Sequence, residues 1–169
     1  VCITLTQRMP IVRIKSINGD DYYIDDKNSI MPNSHYTSDL IIASGYVSKA
    51  YAQSYIAYLA NTLMDNDLWK NQIEQINVTP DRGIELVPRV GNHIVYIGQL
   101  PKCDDKNQRG KVIKNFVDKK LKRLEKFYLY GLSQAGWNKY SYINLEFDNQ
   151  IICKKRKLNN TESPTENEI

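Results

Sequence analysis

The chain has 169 residues, of which 41% are hydrophobic and 25% are charged, so its composition is that of an ordinary globular domain. Its formal net charge is +4. With tyrosine left out, the longest apolar run covers only residues 40–43, whereas a transmembrane helix needs roughly 20 apolar residues. We therefore expect no membrane-spanning helix within the chain.

The motifs of several enzyme classes are missing. The chain has 2 histidines and 3 cysteines, and none of them forms an H-E-x-x-H or a C-x-x-C pair. It also lacks the G-x-S-x-G, P-loop and G-x-G-x-x-G motifs. We therefore expect no catalytic residues, no cofactor and no metal site, and no disulfide on which the fold depends.

The first part of the chain has the pattern of β-strands. Asn18-Gly19 predicts a two-residue hairpin turn, because both central positions of a type I′ turn need a positive φ. Pro10 cannot donate a ladder hydrogen bond and marks a boundary. The predicted strands span residues 1–6, 11–15, 22–24 and 29–32, and the last three form a meander.

A helix is predicted over residues 48–65. Ser48 is a good N-cap, and the apolar residues behind it recur at helical spacing, namely Ala52, Tyr55, Ile56, Leu59 and Leu63. Three further strands are predicted at residues 73–78, 84–88 and 93–98. The last two of these flank a turn at Gly91-Asn92.

A second helix is predicted over residues 109–132, followed by two closing strands at residues 140–147 and 150–153. The apolar seam of this helix consists of Val112, Phe116, Leu121, Leu124, Tyr128 and Leu132. Clusters of strands separated by helices predict an α+β fold with a mainly antiparallel β-sheet and two packed helices.

Basic residues concentrate in the second helix. Between Asp104 and Lys126 there are nine Lys or Arg residues against four Asp or Glu residues, and residues 154–157 are all basic. Such a helix could bind nucleic acid or an anionic membrane or glycan surface, which is our alternative function. The favoured interpretation is the solvated face of an amphipathic helix.

The other candidate groups are interpreted as structural. His35 and His93 lie in polar or turn segments and are expected at the surface. The carboxylate pairs at residues 20–21, 25–26 and 104–105 lie in turns, where an Asp side chain bonds the local backbone. Cys103 and Cys153 are expected to be free thiols, while a pairing of Cys2 stays open.

Two stretches together resemble the FtsQ/DivIB family of bacterial cell-division proteins. Residues 3–14 and 23–32 look like the family's junction, in which a strand, an x-x-P-I-A step and a hydrophobic-D-x-x-G hairpin follow one another. Gly98, the Lys-rich helix and residues 142–147 (Tyr-Ile-Asn-Leu-Glu-Phe) resemble the family's final region. Asn28 stands where Gly is usual, and Asn144 and Glu146 stand where Asp and Arg are usual. Residues 136–155 look most like FtsQ from the Bacteroides group.

The resemblance implies a domain organisation and a location. Residues 1–10 would be the last strand of a truncated POTRA domain and its junction, and residues 11–154 would be the family's β domain. Residues 155–169 would be a basic, then acidic, polar tail, which we expect to be disordered. The family protein is a single-pass inner-membrane protein, so this fragment would be periplasmic and its anchor would lie upstream.

The resemblance also implies a non-enzymatic divisome scaffold that binds the bitopic proteins FtsB and FtsL and helps septum formation. We expect strand addition at a sheet edge formed by one of the two closing strands. The expected partner-binding residues are Tyr142, Asn144, Glu146, Phe147, Asn149 and Ile151. Lys114 and Lys122 are expected to steer the partner electrostatically, and no nucleic acid is expected in this role.

Overall fold

The computed structural model describes residues 2–5, 7–33 and 39–157, and within these residues the strands form one nine-stranded sheet in the order β3-β2-β1-β4-β5-β6-β7-β8-β9. The strands are β1 (Pro10–Ser16), β2 (Asp21–Asp25), β3 (Ile30–Pro32), β4 (Ile41–Gly45), β5 (Ile73–Val78), β6 (Gly83–Pro88), β7 (Ile94–Gln99), β8 (Tyr140–Asn144) and β9 (Ile152–Lys155).

Most neighbouring strands are antiparallel, which confirms the predicted α+β class with a mainly antiparallel sheet. Strand β1 pairs antiparallel with β2, β2 with β3, β5 with β6, β6 with β7, and β8 with β9. Parallel pairs join β1 to β4, β4 to β5, and β7 to β8. A parallel pair needs a crossover connection, and the two long helices supply the connections from β4 to β5 and from β7 to β8.

The first helix lies where the sequence predicts it. It consists of Lys49–Tyr51, a π-helical segment Ala52–Ile56, and Ala57–Met64, and the Ser48 hydroxyl accepts a hydrogen bond of 3.2 Å from the Tyr51 N–H. Its buried stripe contains four of the five predicted residues, Ala52, Ile56, Leu59 and Leu63, all fully buried. The short 3₁₀ segment Trp69–Asn71 follows.

The second helix is longer than predicted, and the buried face of its first half is rotated, whereas Leu121, Leu124 and Leu132 are buried as predicted. It consists of Lys106–Phe127, a π-helical segment Tyr128–Leu132, and Ser133–Ala135. Ile113 and Val117 are fully buried, whereas Val112 and Phe116 are only half-buried. Because apolar residues stand side by side at 112–113 and 116–117, the sequence permits two registers of the stripe, and packing on the sheet selects one.

Two strand predictions are wrong. Residues 2–5, the described part of the strand predicted at 1–6, form no strand, and Ile3 and Leu5 are 78% and 91% exposed. No described strand lies alongside them to complete a ladder. Conversely, β4 has no counterpart in the prediction, although it pairs with both β1 and β5. Its apolar run is short, and both of its partners are distant in sequence.

The two faces of the sheet differ in character. Inward-facing apolar side chains of the strands form one buried cluster with both helices. The opposite face carries a polar network in which the Gln75 amide donates to the Ser44 hydroxyl (2.7 Å) and the Asn77 amide donates to Glu85 (2.7 Å). The core therefore fixes the helices on one side and leaves a hydrogen-bonded polar surface on the other.

Candidate functional site

Strand β9 is one of the two edges of the sheet. Within the described residues it is bonded to β8 on one side only, and β3 forms the other edge. Strand β8 lies between β7 and β9. The predicted strand at 140–147 therefore cannot be the edge, and it ends at Asn144. Of the two closing strands, the second provides the edge.

A buried lysine holds the turn that leads into β9. The Lys120 side chain is 3% exposed, and its ammonium donates to the carbonyl oxygens of Leu145 and Glu146, both at 2.7 Å. Its third neighbour is the Asp148 carboxylate at 3.5 Å. An ammonium group has three donors, so all three have partners within the turn. This compensates the cost of burying the charge.

The neighbouring basic residues of the second helix reinforce this anchor. The Arg123 guanidinium donates to the carbonyl oxygens of Leu145 (3.2 Å) and Gln150 (2.9 Å), and Lys119 pairs with Asp148 at 2.9 Å. Burial lowers the pKa of Lys120, and the Asp148 carboxylate opposes that shift. The hydrogen bond from Lys119 lowers the pKa of Asp148.

The far end of β9 is held by Arg156. Its backbone N–H donates to the Lys139 carbonyl (2.9 Å), and its guanidinium donates to the carbonyl oxygens of Asn138 (3.3 Å) and Asn92. Lys155 belongs to β9. The folded part thus extends past residue 154, where the sequence placed the start of the tail. Residues 158–169 of that predicted tail lie outside the described residues.

Two of the predicted site residues lie on β8, one strand inward from the edge. The Tyr142 hydroxyl donates to Glu85 at 3.2 Å, and its ring stacks on Tyr96 with centroids 6.3 Å apart. Burial raises the pKa of Tyr142, and the charge of Glu85 adds to the shift. The Asn144 side-chain oxygen accepts a 2.8 Å hydrogen bond from the Glu146 N–H, which shapes the start of the turn.

The other predicted residues lie in the turn or just before β9. Glu146, Phe147 and Asn149 are exposed, Phe147 by 47%. Ile151 is half-buried and contributes to a surface cleft of about 470 Å³. The remaining residues of this cleft belong to the second helix and are Arg123, Lys126, Phe127, Tyr130 and Gly131.

The two predicted steering lysines occupy different environments on the second helix. Lys114 pairs with Asp118 at 3.5 Å, and Lys122 is exposed. An exposed ion pair of this type contributes at most about 0.5 kcal/mol.

The anchoring residues Lys120, Arg123 and Arg156 were missed by the sequence reasoning. A usable signal existed for Lys120. It stands seven residues after Ile113 and four before Leu124, so it occupies a position of the buried stripe. A lysine in an apolar stripe requires a specific partner for its charge. No comparable signal marks Arg123 or Arg156, because their acceptors are backbone carbonyls distant in sequence.

His93 is buried, contrary to the surface position expected for it. Its Nε2 atom and the Tyr128 hydroxyl share a 2.7 Å hydrogen bond, and Tyr128 in turn packs edge-on against Trp137. The aromatic residues that cover it are distant in sequence, so the turn context alone was misleading. Burial lowers the pKa of His93, and the charge of Arg156 adds to the effect.

The described residues contain no group of three or more His, Cys, Asp or Glu side chains arranged to hold a metal ion. Cys2, Cys103 and Cys153 are free thiols. Among the helices of the described ranges, none is both long and apolar enough to cross a membrane.

The comparison with protein families agrees with the fold. A family model described as FtsQ/DivIB, C-terminal related, matches residues 9–154. Among individually curated proteins, none is similar enough to count as a match. FtsQ/DivIB proteins are membrane-anchored, non-enzymatic scaffolds of bacterial cell division that act with other divisome components. The match spans most of the chain, and the chain therefore belongs to the FtsQ/DivIB C-terminal related family, which links it to bacterial cell division.

Proposed function

We propose that this chain is the β domain of a divisome scaffold that binds FtsB- and FtsL-like bitopic proteins by strand addition to β9. Binding takes place outside the cytoplasmic membrane and helps septum formation. The observation that carries the proposal is the position of β9, which is a sheet edge tied to the rest of the fold at both ends.

An edge of this kind suits strand addition for two reasons. Its outward N–H and C=O groups are a template for a partner strand. In addition, Lys120 and Arg123 hold the turn before β9, and Arg156 holds the residue after it. Binding to a strand that is already ordered loses less conformational entropy than binding to one that must first order.

Side chains around β9 supply recognition in this proposal. Glu146, Phe147 and Asn149 are exposed in the turn, and Ile151 opens onto the cleft of the second helix. Tyr142 and Asn144 pair in register with Lys154 and Ile152 of β9. A partner strand beside β9 would contact β9 and the turn residues directly, whereas Tyr142 and Asn144 would act through β9, which lies between them and the partner. Lys114 and Lys122 would accelerate the approach of the partner.

The remaining parts of the proposal concern the intact protein. Residues 1–10 form the junction to a POTRA domain, and residues 2–5, which form no strand here, would become its last strand only when the sheet of that domain lies beside them. A single transmembrane helix upstream anchors the protein in the inner membrane, with this part in the periplasm. These assignments rest on the family's organisation.

The alternative, a basic helix that binds nucleic acid or an anionic surface, has less support. Lys119, Lys120 and Arg123 bind the β8–β9 turn, and Lys114 pairs with Asp118. Arg109 donates to the Cys103 carbonyl at 2.8 Å. Many cations of the helix therefore have structural roles, which reduces the charge available for an external anion.

Two adjacent proline substitutions in β9 test the proposal. In an antiparallel pair, successive N–H groups of one strand point alternately to its neighbour and away from it. Of Cys153→Pro and Lys154→Pro, one therefore removes a bond to β8 and lowers the melting temperature. The other removes only an outward donor and leaves the fold intact. We expect the variant that keeps the wild-type melting temperature to lose binding to a purified FtsB–FtsL ectodomain complex. Normal binding by that variant contradicts strand addition at β9.

A side-chain test complements the backbone test. Phe147→Ala should weaken binding of the same complex by about tenfold, as expected when an interface anchor is truncated. Tyr46→Ala is the matched control, because Tyr46 is 49% exposed and Phe147 is 47% exposed, and Tyr46 follows β4, far from β9 in the strand order. Equal affinities for the two variants would remove Phe147 from the site.

A further inference from the structure

A second candidate surface lies at the end of the sheet where β8 begins. It is an apolar groove of about 420 Å³ between the second helix, the 3₁₀ segment and the loop from β6 to β7. Its rim consists of Leu68, Val90, Leu129 and Trp137, which are 44%, 52%, 60% and 39% exposed. Such a concentration of exposed apolar side chains around one concavity is typical of an interaction site.

The floor of the groove is rigid. Trp69 is 2% exposed, and its ring packs against Tyr128 with centroids 6.0 Å apart. The Tyr128 hydroxyl is fixed by its 2.7 Å hydrogen bond to His93. One buried and one half-buried aromatic side chain held in this way form a pocket that does not need to rearrange before it receives an apolar side chain.

The charge at the groove selects the kind of occupant. Glu125 is the one charged residue among those that line it. Glu125 stands in a basic stretch, yet no cation of the described residues lies within 4.0 Å of its carboxylate. The other acidic residue of the helix, Asp118, is paired with Lys114. An unpaired carboxylate at an apolar pocket complements a ligand that carries a cation next to an apolar group.

We propose that this groove binds a protein segment that presents bulky apolar side chains next to Lys or Arg. The apolar side chains enter between Leu129, Val90 and Trp137, and the cation pairs with Glu125. An anionic membrane is disfavoured as the occupant because Glu125 would repel it. The groove shares no residue with the proposed site at β9, so this is a separate docking surface.

The chain carries its own reporter for this site. It has 2 tryptophans, Trp69 and Trp137, and both line the groove. Intrinsic fluorescence therefore reports on the groove directly when the probe contains no Trp. The probes are two short amphipathic helical peptides with Leu and Phe on one face, one flanked by Lys and its twin flanked by Glu.

We expect the Lys-flanked peptide to change the Trp emission on binding, and we expect its affinity to be at least tenfold higher than that of the Glu-flanked peptide. Leu129→Asp should weaken this binding by about tenfold. Ile17→Asp is the matched control, because Ile17 is 59% exposed and Leu129 is 60% exposed, and Ile17 lies in the β1–β2 turn. Glu125→Lys should reverse the preference between the two peptides, and the β9 proline variant that stays folded should leave the binding unchanged.

Several results would overturn the proposal. These are the absence of any emission change, equal affinity for the two peptides, or binding that survives Leu129→Asp. A fourth is an emission change caused by phosphatidylglycerol vesicles but by neither peptide, which would assign the groove to a membrane surface. Matching circular dichroism spectra of the variants confirm that each comparison is made on folded protein.

Discussion

The two edges of the sheet are each preceded by a hairpin turn that is held by one buried charge, and the two charges have opposite signs. In the turn before β3, Asp25 is a buried carboxylate that accepts hydrogen bonds from the N–H groups of Lys27 (3.0 Å) and Ser29 (2.7 Å). In the turn before β9, Lys120 is a buried ammonium that donates to two carbonyl groups. The turn before β3 is stabilised through its backbone N–H groups, and the turn before β9 through its backbone carbonyl groups.

The two edges differ in how far the anchor lies from the turn. Asp25 is part of the turn that it holds, whereas Lys120 comes from the second helix. Strand β3 also ends at Pro32, which has no N–H for a further ladder, while β9 contains no proline. The β3 edge is thus ordered by a residue of its own turn and ended by a residue of its own strand. The β9 edge is fixed relative to a helix surface, so a partner strand there can also contact that helix.

The largest effect is expected from removing the lysine anchor. Lys120→Met leaves the Glu146 carbonyl without its lysine donor and deprives the Leu145 carbonyl of one donor. We expect a loss of about 3 kcal/mol in the free energy of unfolding, measured by urea denaturation. The control is Lys122→Met on the exposed face of the same helix, which should change stability by less than about 0.5 kcal/mol. Equal effects would mean that Lys120 is no more important than a surface lysine.

The second prediction concerns the carboxylate anchor and its pH dependence. Burial by itself raises the pKa of Asp25, but the hydrogen bonds from Ser29, Arg8 and Lys27 outweigh it and hold the pKa below its usual value. We expect Asp25→Asn to lose about 2 kcal/mol at pH 7, and Asp26→Asn, on the exposed neighbour, to lose little.

A lowered carboxyl pKa has a definite sign in the stability profile. The unfolded pKa of an Asp is about 3.9, so the contribution of Asp25 is fully present above that value. It is lost as the pH falls through the lower, folded pKa. The stability difference between wild type and Asp25→Asn should therefore be constant above about pH 5 and should decrease at more acidic pH. A difference that widens on acidification would contradict this assignment.

A smaller effect is expected at the far end of β9. Arg156→Met removes the guanidinium bonds to Asn138 and Asn92 but keeps the backbone bond to Lys139. We expect a loss of about 1 kcal/mol and faster amide hydrogen exchange in β9, with no change in β3. Lys155→Met, next to it in the exposed part of the strand, serves as the control. Unchanged exchange in Arg156→Met would show that β9 does not need this second anchor.

The smallest effect is expected from the titration of His93, which lies near Arg156 at the β9 end of the sheet. His93 has a lowered pKa because of burial and the nearby Arg156 charge, so the unfolded state takes up its proton first, near pH 6.5. Stability should fall as the pH drops below that value, by less than about 1 kcal/mol between pH 7 and pH 6. His93→Gln should abolish this dependence. His35→Gln should not, because the sequence predicts a surface position for His35, which lies outside the described residues. As the pH is lowered, the loss of stability due to His93 is therefore expected at a higher pH than the loss of the Asp25 contribution.

Features that depend on nearby residues were predictable from the sequence. A hairpin turn forms at Asn18-Gly19, but it is not the predicted two-residue type I′ turn, because Gly19 has a positive φ (+89°) and Asn18 does not. The Gly19 N–H donates to the Ser16 carbonyl (3.1 Å) instead. The Ser48 cap and the stripe of the first helix are where their spacing places them. The role of Asp25 in its own turn also follows from the sequence, because its two N–H donors lie two and four residues away. The family resemblance likewise depended on the order of such short motifs.

Features that depend on contacts between distant residues were decided by the tertiary structure alone. Strand β4 forms because β1 and β5 pair with it on either side. Strand β9 rather than β8 is the edge because β8 pairs with β7, to which the long second helix connects it. Lys120 meets its acceptors 25 and 26 residues away, and His93 is buried by Tyr128, 35 residues away. Sequence patterns report periodicity and local turn chemistry, whereas burial and edge position depend on which distant segments pack together.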